Sequence, residues 1–166
     1  LTANEQALKQ DGPEATISNG SPVRIVKYNS VGQVLSQYFY MVDPLPNPMG
    51  KKSLKGDNGL VELIALDEWH LLALERSYLP ELRRNVIRLY RVDLSGAQDV
   101  SRLDSLLQSA TEVSFAKKEL VLDFDSIVPL LSSDFRSLDN LEGISFGPVL
   151  EDGSRSLVLV SDGNFN

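Results

Sequence analysis

Two stretches, "NGLVELIALDEWHLLALER" at 58–76 and "DNLEGISFGPVLEDGSRSLVLVSDGN" at 139–164, decide the architecture when one is set above the other. Each runs from an Asn through a Glu into a short apolar segment, a turn, a second apolar segment and an acidic residue near its end. Matched by letter, Glu62 falls on Glu142, Ile64 on Ile144 and Leu66 on Phe146, while "LLALER" falls on "LVLVSD" and places Glu75 with Asp162. Short runs rich in Leu, Ile and Val between turn residues read as strands, so each stretch reads as a β-hairpin. The opening "LTANEQ" reads as the tail of a third copy, which puts Glu5 in the class of Glu75 and Asp162. Four-stranded units repeated at intervals of tens of residues indicate a β-propeller-type array of blades.

The segments between the copies supply the remaining strands. Residues 22–28 and 34–42 form two β runs joined by "NSVG", a hairpin, and the middle unit takes strands at 61–66, 69–75, 86–94 and 118–124. Residues 43–59 hold three prolines and three glycines and read as a long loop. Within 98–112, Leu103, Leu106 and Leu107 have helical spacing, with Asp99 or Ser101 as N-cap, so a short helix is expected there. A second helical turn is expected in "SIVPLLSS", 126–133, where Pro129 confines it to a first turn.

The expected fold is all-β: four-stranded antiparallel blades in an incomplete array, one complete blade flanked by two partial ones. Residues 1–166 form a single unit in this reading. Residues 1–48 are the later strands of one blade, 57–128 the complete blade and 138–166 the first strands of the next. Such an array leaves blade faces and a sheet edge uncovered, so further blades from the same or another chain are expected as partners.

Composition narrows the function classes. A 166-residue chain that is 42% hydrophobic can bury one ordinary core. No apolar run approaches the ~20 residues of a membrane-spanning helix, and "LTANEQALKQDGP" lacks the basic and apolar regions of a signal peptide. With 16 Lys plus Arg against 23 Asp plus Glu, the net charge of −7 repels a phosphate backbone, so nucleic acid is not an expected partner. The absence of cysteine excludes disulfides and thiolate metal sites and leaves the compartment open.

The series "TANEQALKQDGP", "PVRIVKYN", "LLALERSY", "IRLYRVDLSGAQDVS" and "LDNLEGISFGPVLEDGSRSLVLVSDGNFN" resembles the C-terminal half of the phytase-like domain described as "esterase-like activity of phytase", common in bacteria. "ERSY" followed by "IRLYRVDLSGA", and "DNLEGISFGP" followed by "LVLVSDGNFN", are its most specific parts. The resemblance implies a β-propeller, an extracytoplasmic setting on exported or lipid-anchored proteins, and hydrolysis of a phosphoester or ester. It brings no catalytic residue set onto these positions.

The repeat itself suggests chemistry. The start of a hairpin's first strand and the end of its second lie at one end, so Glu62 is expected near Glu75 and Glu142 near Asp162. In a propeller the innermost strands line the central channel, and acids at one blade position converge there. Glu5, Glu62, Glu75, Glu142 and Asp162 are therefore candidate metal ligands. Clustered carboxylates favour a cation between them, and oxygen ligands with Asn58, Asn140 and Asn164 nearby suit calcium or magnesium rather than zinc. The structural alternative is that Glu62 and Glu142 cap backbone amides and tie blades together. For an anionic phosphoester, the candidates are Arg76, Lys9 of the loop that also carries Asp11, Asn140 and Asn164; a guanidinium matches phosphate oxygens bidentately, and its structural alternative is an ion pair. His70 is expected at a hairpin turn in a structural role, and Arg83 and Arg84 in a solvated loop.

"GISFG" at 143–147 has the spelling of a hydrolase nucleophile elbow. A true elbow turns from strand into helix and is followed by an acid and a histidine, whereas here Pro148 and another strand follow and His70 lies upstream. Ser145 is expected to be a strand residue.

Overall fold

A computed structural model of the chain describes all residues except 108–111, 134–136 and 164–166. Nine strands form three antiparallel sheets among the described residues. The first sheet has the order β1 (Thr2–Ala3), β2 (Ser21–Tyr28), β3 (Val34–Val42). The second has β4 (Asp57–Ala65), β5 (His70–Leu79), β6 (Arg84–Asp93) and β7 (Lys117–Asp123), and the third pairs β8 (Leu141–Val149) with β9 (Arg155–Ser161). The protein is thus all-β, with one four-stranded meander between a three-stranded and a two-stranded sheet.

The middle sheet is covered on both faces, which explains its unbroken apolar run. Successive strand residues point to opposite faces. Leu71 and Ala73 of β5 pack with Tyr90 and Val92 of β6 against Val23, Ile25, Tyr38, Tyr40 and Val42 of the first sheet. Leu72 and Leu74 point the other way with Ile87 and Leu89, against Leu141, Ile144, Leu157 and Leu159 of the third sheet. A half-exposed strand would have shown alternation instead. The resulting stack of sheets, face on face, is the packing of propeller blades.

The turns fall where the sequence places them. β2 and β3 join through Asn29–Gly32, where the Asn29 carboxamide accepts from the Val31 and Gln33 amides and Gly32 takes the left-handed φ of 83°. His70 sits at the β4–β5 turn with its Nδ1 2.9 Å from Asp67, the structural role expected of it. Arg83 closes the β5–β6 turn with a φ of 48°, a left-handed conformation for a residue bearing a side chain. The loop expected to reach residue 59 ends earlier, because Asp57 and Asn58 already pair with Tyr78 and Ser77 of β5. "SIVPLLSS" does form helical turn, as the second of two 3-10 segments, Phe124–Ser126 and Val128–Leu130, with Pro129 in the first turn.

The expected helix at 98–112 is absent over 98–107 and 112; residues 108–111 lie outside the described residues. This segment is instead a strap laid against the free side of β3. Val100 donates its amide to Gln37 O and Ala116 donates to Phe39 O, while Asp99 Oδ1 accepts from the Gln37 amide at 3.0 Å. Val100 and Leu106, with Leu103, pack on Phe39, so the leucines at helical spacing serve a tertiary contact. Pairing with β3 takes up a sheet edge that would otherwise be open, and this gain overrides weak helix propensity.

Candidate functional site

Of the residues singled out in the sequence, Glu5, Arg76, Asn140 and Glu142 come together in one cluster and Glu75 and Asn58 in another, with opposite surroundings. The first is built around Arg76 of β5, whose side chain is 12% exposed. Its Nη2 donates to Glu5 Oε1 at 3.3 Å and to Glu142 Oε1 at 3.2 Å, and its Nη1 to Asp57 Oδ1 at 3.5 Å. Glu5 follows β1, Asp57 opens β4 and Glu142 lies in β8, so the three carboxylates come from three sheets. Asn140 orients Glu142, donating from Nδ2 to the same Oε1 at 2.9 Å. Three acids from three sheets thus converge, and the cation they surround is a guanidinium. The cleft beside it, of about 210 Å³, is lined by Ala3, Glu5, Leu60, Val61 and Glu142.

Gly59 makes this convergence sterically open. The Leu60 amide donates to Glu5 O, bringing the chain after β1 onto β4, and a Cβ at Gly59 would lie 2.4 Å from Glu5 Cγ. Gly59→Ala is therefore expected to push the Glu5 side chain off Arg76 while leaving the fold intact. The side-chain carboxyl carbon of Glu5 is expected to move in the NMR spectrum of the variant, and a chemical shift identical to wild type would refute this account.

The second cluster is buried between the first and middle sheets. Glu75, 2% exposed, accepts at Oε1 from Tyr40 Oη at 2.5 Å and Lys118 Nζ at 2.6 Å. Its Oε2 accepts from the Asp43 amide at 3.0 Å and Asn58 Nδ2 at 3.2 Å. Lys118 Nζ also meets Asp43 Oδ1 at 2.7 Å and lies 4.8 Å and 4.3 Å from the ring centroids of Tyr40 and Tyr90, whose faces add cation–π attraction. Tyr90 Oη donates to Asp43 Oδ2. Burial, together with the neighbouring carboxylates, pushes both phenols far above their ordinary range. Burial alone would raise the Asp43 carboxyl, but bonds from Lys118 and Tyr90 outweigh it and hold it below the usual aspartate value.

Strand pairing corrects the letter-by-letter equivalence of the two hairpins. Leu60 pairs with Glu75 and Glu62 with Leu74, leaving Val61 as a bulge; Leu141 pairs with Ser161 and Gly143 with Val160, leaving Glu142 as the bulge. The core agrees, since Leu60 and Leu63 face the preceding sheet as Leu141 and Ile144 do. Glu142 is therefore the counterpart of Val61, Ser161 of Glu75, and Asp162 of Arg76. A bulge shifts which face a side chain takes, and it turns Glu142 toward the guanidinium.

The remaining candidates are placed as follows. Glu62 Oε1 accepts from the adjacent Leu63 amide at 2.9 Å, the capping role named as its alternative, and no hydrogen bond joins Glu62 to Glu75 among the described residues. Asp162 follows β9 and its amide donates to Asn140 O. Lys9 is exposed in a turn, while Asp11 in the same loop is buried in a bidentate pair with Arg24. Asn164 lies outside the described residues. Arg84, expected in a solvated loop, opens β6 and pairs with Asp125. Ser145 is a strand residue opposite Val158 with its hydroxyl directed at Phe146 O.

The carboxylates do not fit a divalent cation as they stand. Both oxygens of Glu75 have protein donors, Glu5 and Glu142 are turned to Arg76, and no group of three or more His, Cys, Asp or Glu side chains suited to a metal occurs among the described residues. Asp57, Lys118, Asp43, Tyr40 and Tyr90 escaped the sequence reading. Asp57 was hidden in the Gly/Pro-rich stretch, and Lys118 enters β7 between Tyr90 of the adjacent strand β6 and Tyr40 of the neighbouring sheet.

No described helix is long and apolar enough to cross a membrane. No curated protein and no solved structure matches the chain. The family model "Phytase-like: Esterase-like activity of phytase" matches residues 1–165, essentially the whole chain, and its match is not confined to a C-terminal half. With the stacked antiparallel sheets of a β-propeller and this match over its length, the chain belongs to the phytase-like family described as esterase-like activity of phytase.

Proposed function

We propose that the chain works within a phytase-like propeller that hydrolyses a phosphoester or ester, and that the Arg76 cleft is where the anionic substrate is held. The observation that carries this reading is the convergence of Glu5, Asp57 and Glu142 from three sheets on one guanidinium beside an open cleft. The contacts to Glu5 and Asp57 are the longest, at 3.3 and 3.5 Å, and these two carboxylates are the most exposed of the three. A phosphoryl group would displace them and bind the guanidinium fork. The displaced carboxylates would then stand beside the bound ester, where one can take a proton from an attacking water. Three carboxylates against one guanidinium leave an excess of negative charge, so activity should rise with ionic strength. Calcium, with Glu5, Glu62, Glu75, Glu142 and Asp162 as ligands, would require these side chains to leave their present partners. An extracytoplasmic setting belongs to the same reading.

Arg76 also favours a second reading, a non-catalytic propeller module in which it clasps three sheets. Its Nε is buried without a hydrogen-bond partner, and its other nitrogens meet carboxylates of the chain itself. Assay of the purified protein on a generic phosphomonoester and a carboxylic ester, with calcium and with a chelator, separates the two. In the hydrolase reading, Arg76→Ala lowers kcat/KM by roughly 10- to 100-fold, the loss expected for hydrogen bonds to a charged group. Wild-type protein inactive on both substrates in both conditions, with Arg76→Ala only less stable, would establish the clasp instead.

A further inference from the structure

We propose that a trough across one end of the middle sheet binds a small amphiphilic anion: a carboxylate, sulfonate or phosphate head carrying a short apolar chain. The trough consists of two clefts that meet at one ion pair. The first, of about 280 Å³, lies between the β3–β4 loop and β6 and is walled by Pro46, Pro48, Arg84, Val86 and Arg88. The second, of about 300 Å³, lies between β6 and the β7–β8 connection and is walled by Arg84, Val128, Pro129 and Leu138. Arg84 and Asp125, paired with each other, line both. Every lining residue falls within 46–138, and none is shared with the Arg76 cleft.

The polar half follows from the period of a strand. Residues 84, 86 and 88 of β6 fall on one face, so Arg84 and Arg88 flank Val86 in the first cleft. Arg88 donates from Nε to Asp123 Oδ2 at 3.1 Å, and Arg84 donates from Nη2 to Asp125. All four side chains are 29–42% exposed. Pairs this exposed contribute little to stability, so a ligand anion can compete for the guanidinium forks. The surrounding charge favours such a ligand. The protein carries −7 overall, yet the segments 46–55 and 81–88 that border this cleft hold Lys51, Lys52, Lys55, Arg83, Arg84 and Arg88 against one acid, Glu81. Asp123 and Asp125 offset two of these charges and leave an excess of positive charge, which concentrates anions locally on an otherwise repelling surface.

The apolar half is the second cleft. Val128 and Pro129 lie in the 3-10 turn that follows β7, Leu138 precedes β8, and Leu130 beside them is 81% exposed. An inorganic anion would leave this surface bare, whereas a head with a chain of a few methylenes fills both clefts. Apolar walls with a few placed charged groups are the usual make-up of a small-ligand site.

Octanesulfonate is the probe, because its head offers the guanidiniums the oxygens of a phosphate and is not hydrolysed; the outcome is therefore independent of any activity at Arg76. Isothermal titration calorimetry at low salt, below the micelle concentration, is expected to show saturable binding. Methanesulfonate, the head alone, should bind at least about ten-fold more weakly, the loss expected for roughly two buried methylenes or more. Octyltrimethylammonium, the same chain on a cation, should not bind. Arg88→Gln should weaken octanesulfonate by about ten-fold or more, the range for hydrogen bonds to a charged group. Val128→Asn should weaken octanesulfonate and leave methanesulfonate unchanged; circular dichroism verifies that both variants are folded. Absence of saturable octanesulfonate binding would overturn the proposal. Equal binding of methanesulfonate or of octyltrimethylammonium would do the same, as would wild-type affinity in either variant.

Discussion

Lys118→Ala is expected to lower stability by about 3–5 kcal/mol, the cost of leaving buried carboxylates without their counter-charge. Urea denaturation followed by tryptophan fluorescence measures it, with Trp69 at the β4–β5 turn as the single reporter. The size follows from burial: Glu75 is 2% exposed and shares Oε1 between Tyr40 and Lys118, while the same ammonium neutralises Asp43. Removing the lysine strands two negative charges within reach of each other in a low-dielectric interface. Removing charge on both sides together costs less, because a buried ion pair replaced by apolar groups of similar shape is often close to neutral. The double variant Glu75→Gln with Lys118→Met should therefore recover a substantial part of the loss. A Lys118→Ala protein within 1 kcal/mol of wild type, about the ceiling for an exposed pair, would show that the cage is not closed to water.

The same cage sets the pH window of stability. Asp43 is held below its ordinary value in the folded protein, so its contribution is present above the unfolded pKa of about 3.9 and is lost as the pH falls through the folded value. Tyr40 and Tyr90 are raised, so the folded state keeps their protons where the unfolded chain releases them. Their contribution is complete below about pH 10 and declines as the pH rises above it.

Asp11→Ala should cost about as much, 3–5 kcal/mol, and should also free the strap that covers β3. The Asp11 carboxylate is fully buried and accepts from Arg24 Nε at 2.6 Å and Nη2 at 2.7 Å. It also accepts from the Leu106 amide at 3.1 Å, while Arg24 reaches Leu103 O at 2.9 Å and stacks 4.9 Å over Phe39. One ion pair therefore anchors the loop after β1, the third strand's apolar face and the strap together. Losing the carboxylate leaves a buried guanidinium without its counter-charge, although Gln37 and Leu103 O still accept from it, and leaves the Leu106 amide without its acceptor. Limited proteolysis should then cut within 98–107 faster than wild type, in proportion to the fall in stability, whereas Asp11→Asn, which keeps an acceptor, should lose less. Unchanged proteolysis in Asp11→Ala would mean that Phe39 and its neighbours hold the strap unaided.

Much of the fold was legible because strand signals are local. Alternation, β-branched content and turn residues at "NSVG" and "DGS" act within a few residues of one another, and they located the hairpins to within a few positions. The apolar run "LLAL" lies in a strand covered on both sides. The helix expected in 98–112 failed for the converse reason: leucine spacing records only that one side of a segment is apolar, and here β3 supplied a sheet edge and Phe39 a surface that the local pattern does not contain.

The candidate site was legible as a set of residues and not as an arrangement. The sequence by itself determined the all-β class and the hairpins, because these follow from pattern and connectivity. Only the tertiary structure decided which acid meets which cation. A bulge at Val61 in one hairpin and at Glu142 in the other shifts the register by a residue, and since side chains alternate with a period of two, one residue is enough to change a carboxylate's face. Glu75 went inward to Lys118, a residue 43 positions away in sequence, and Glu142 went to Arg76, 66 positions away. Pairings at that range are set by how the sheets stack, and no local spacing in the chain encodes them.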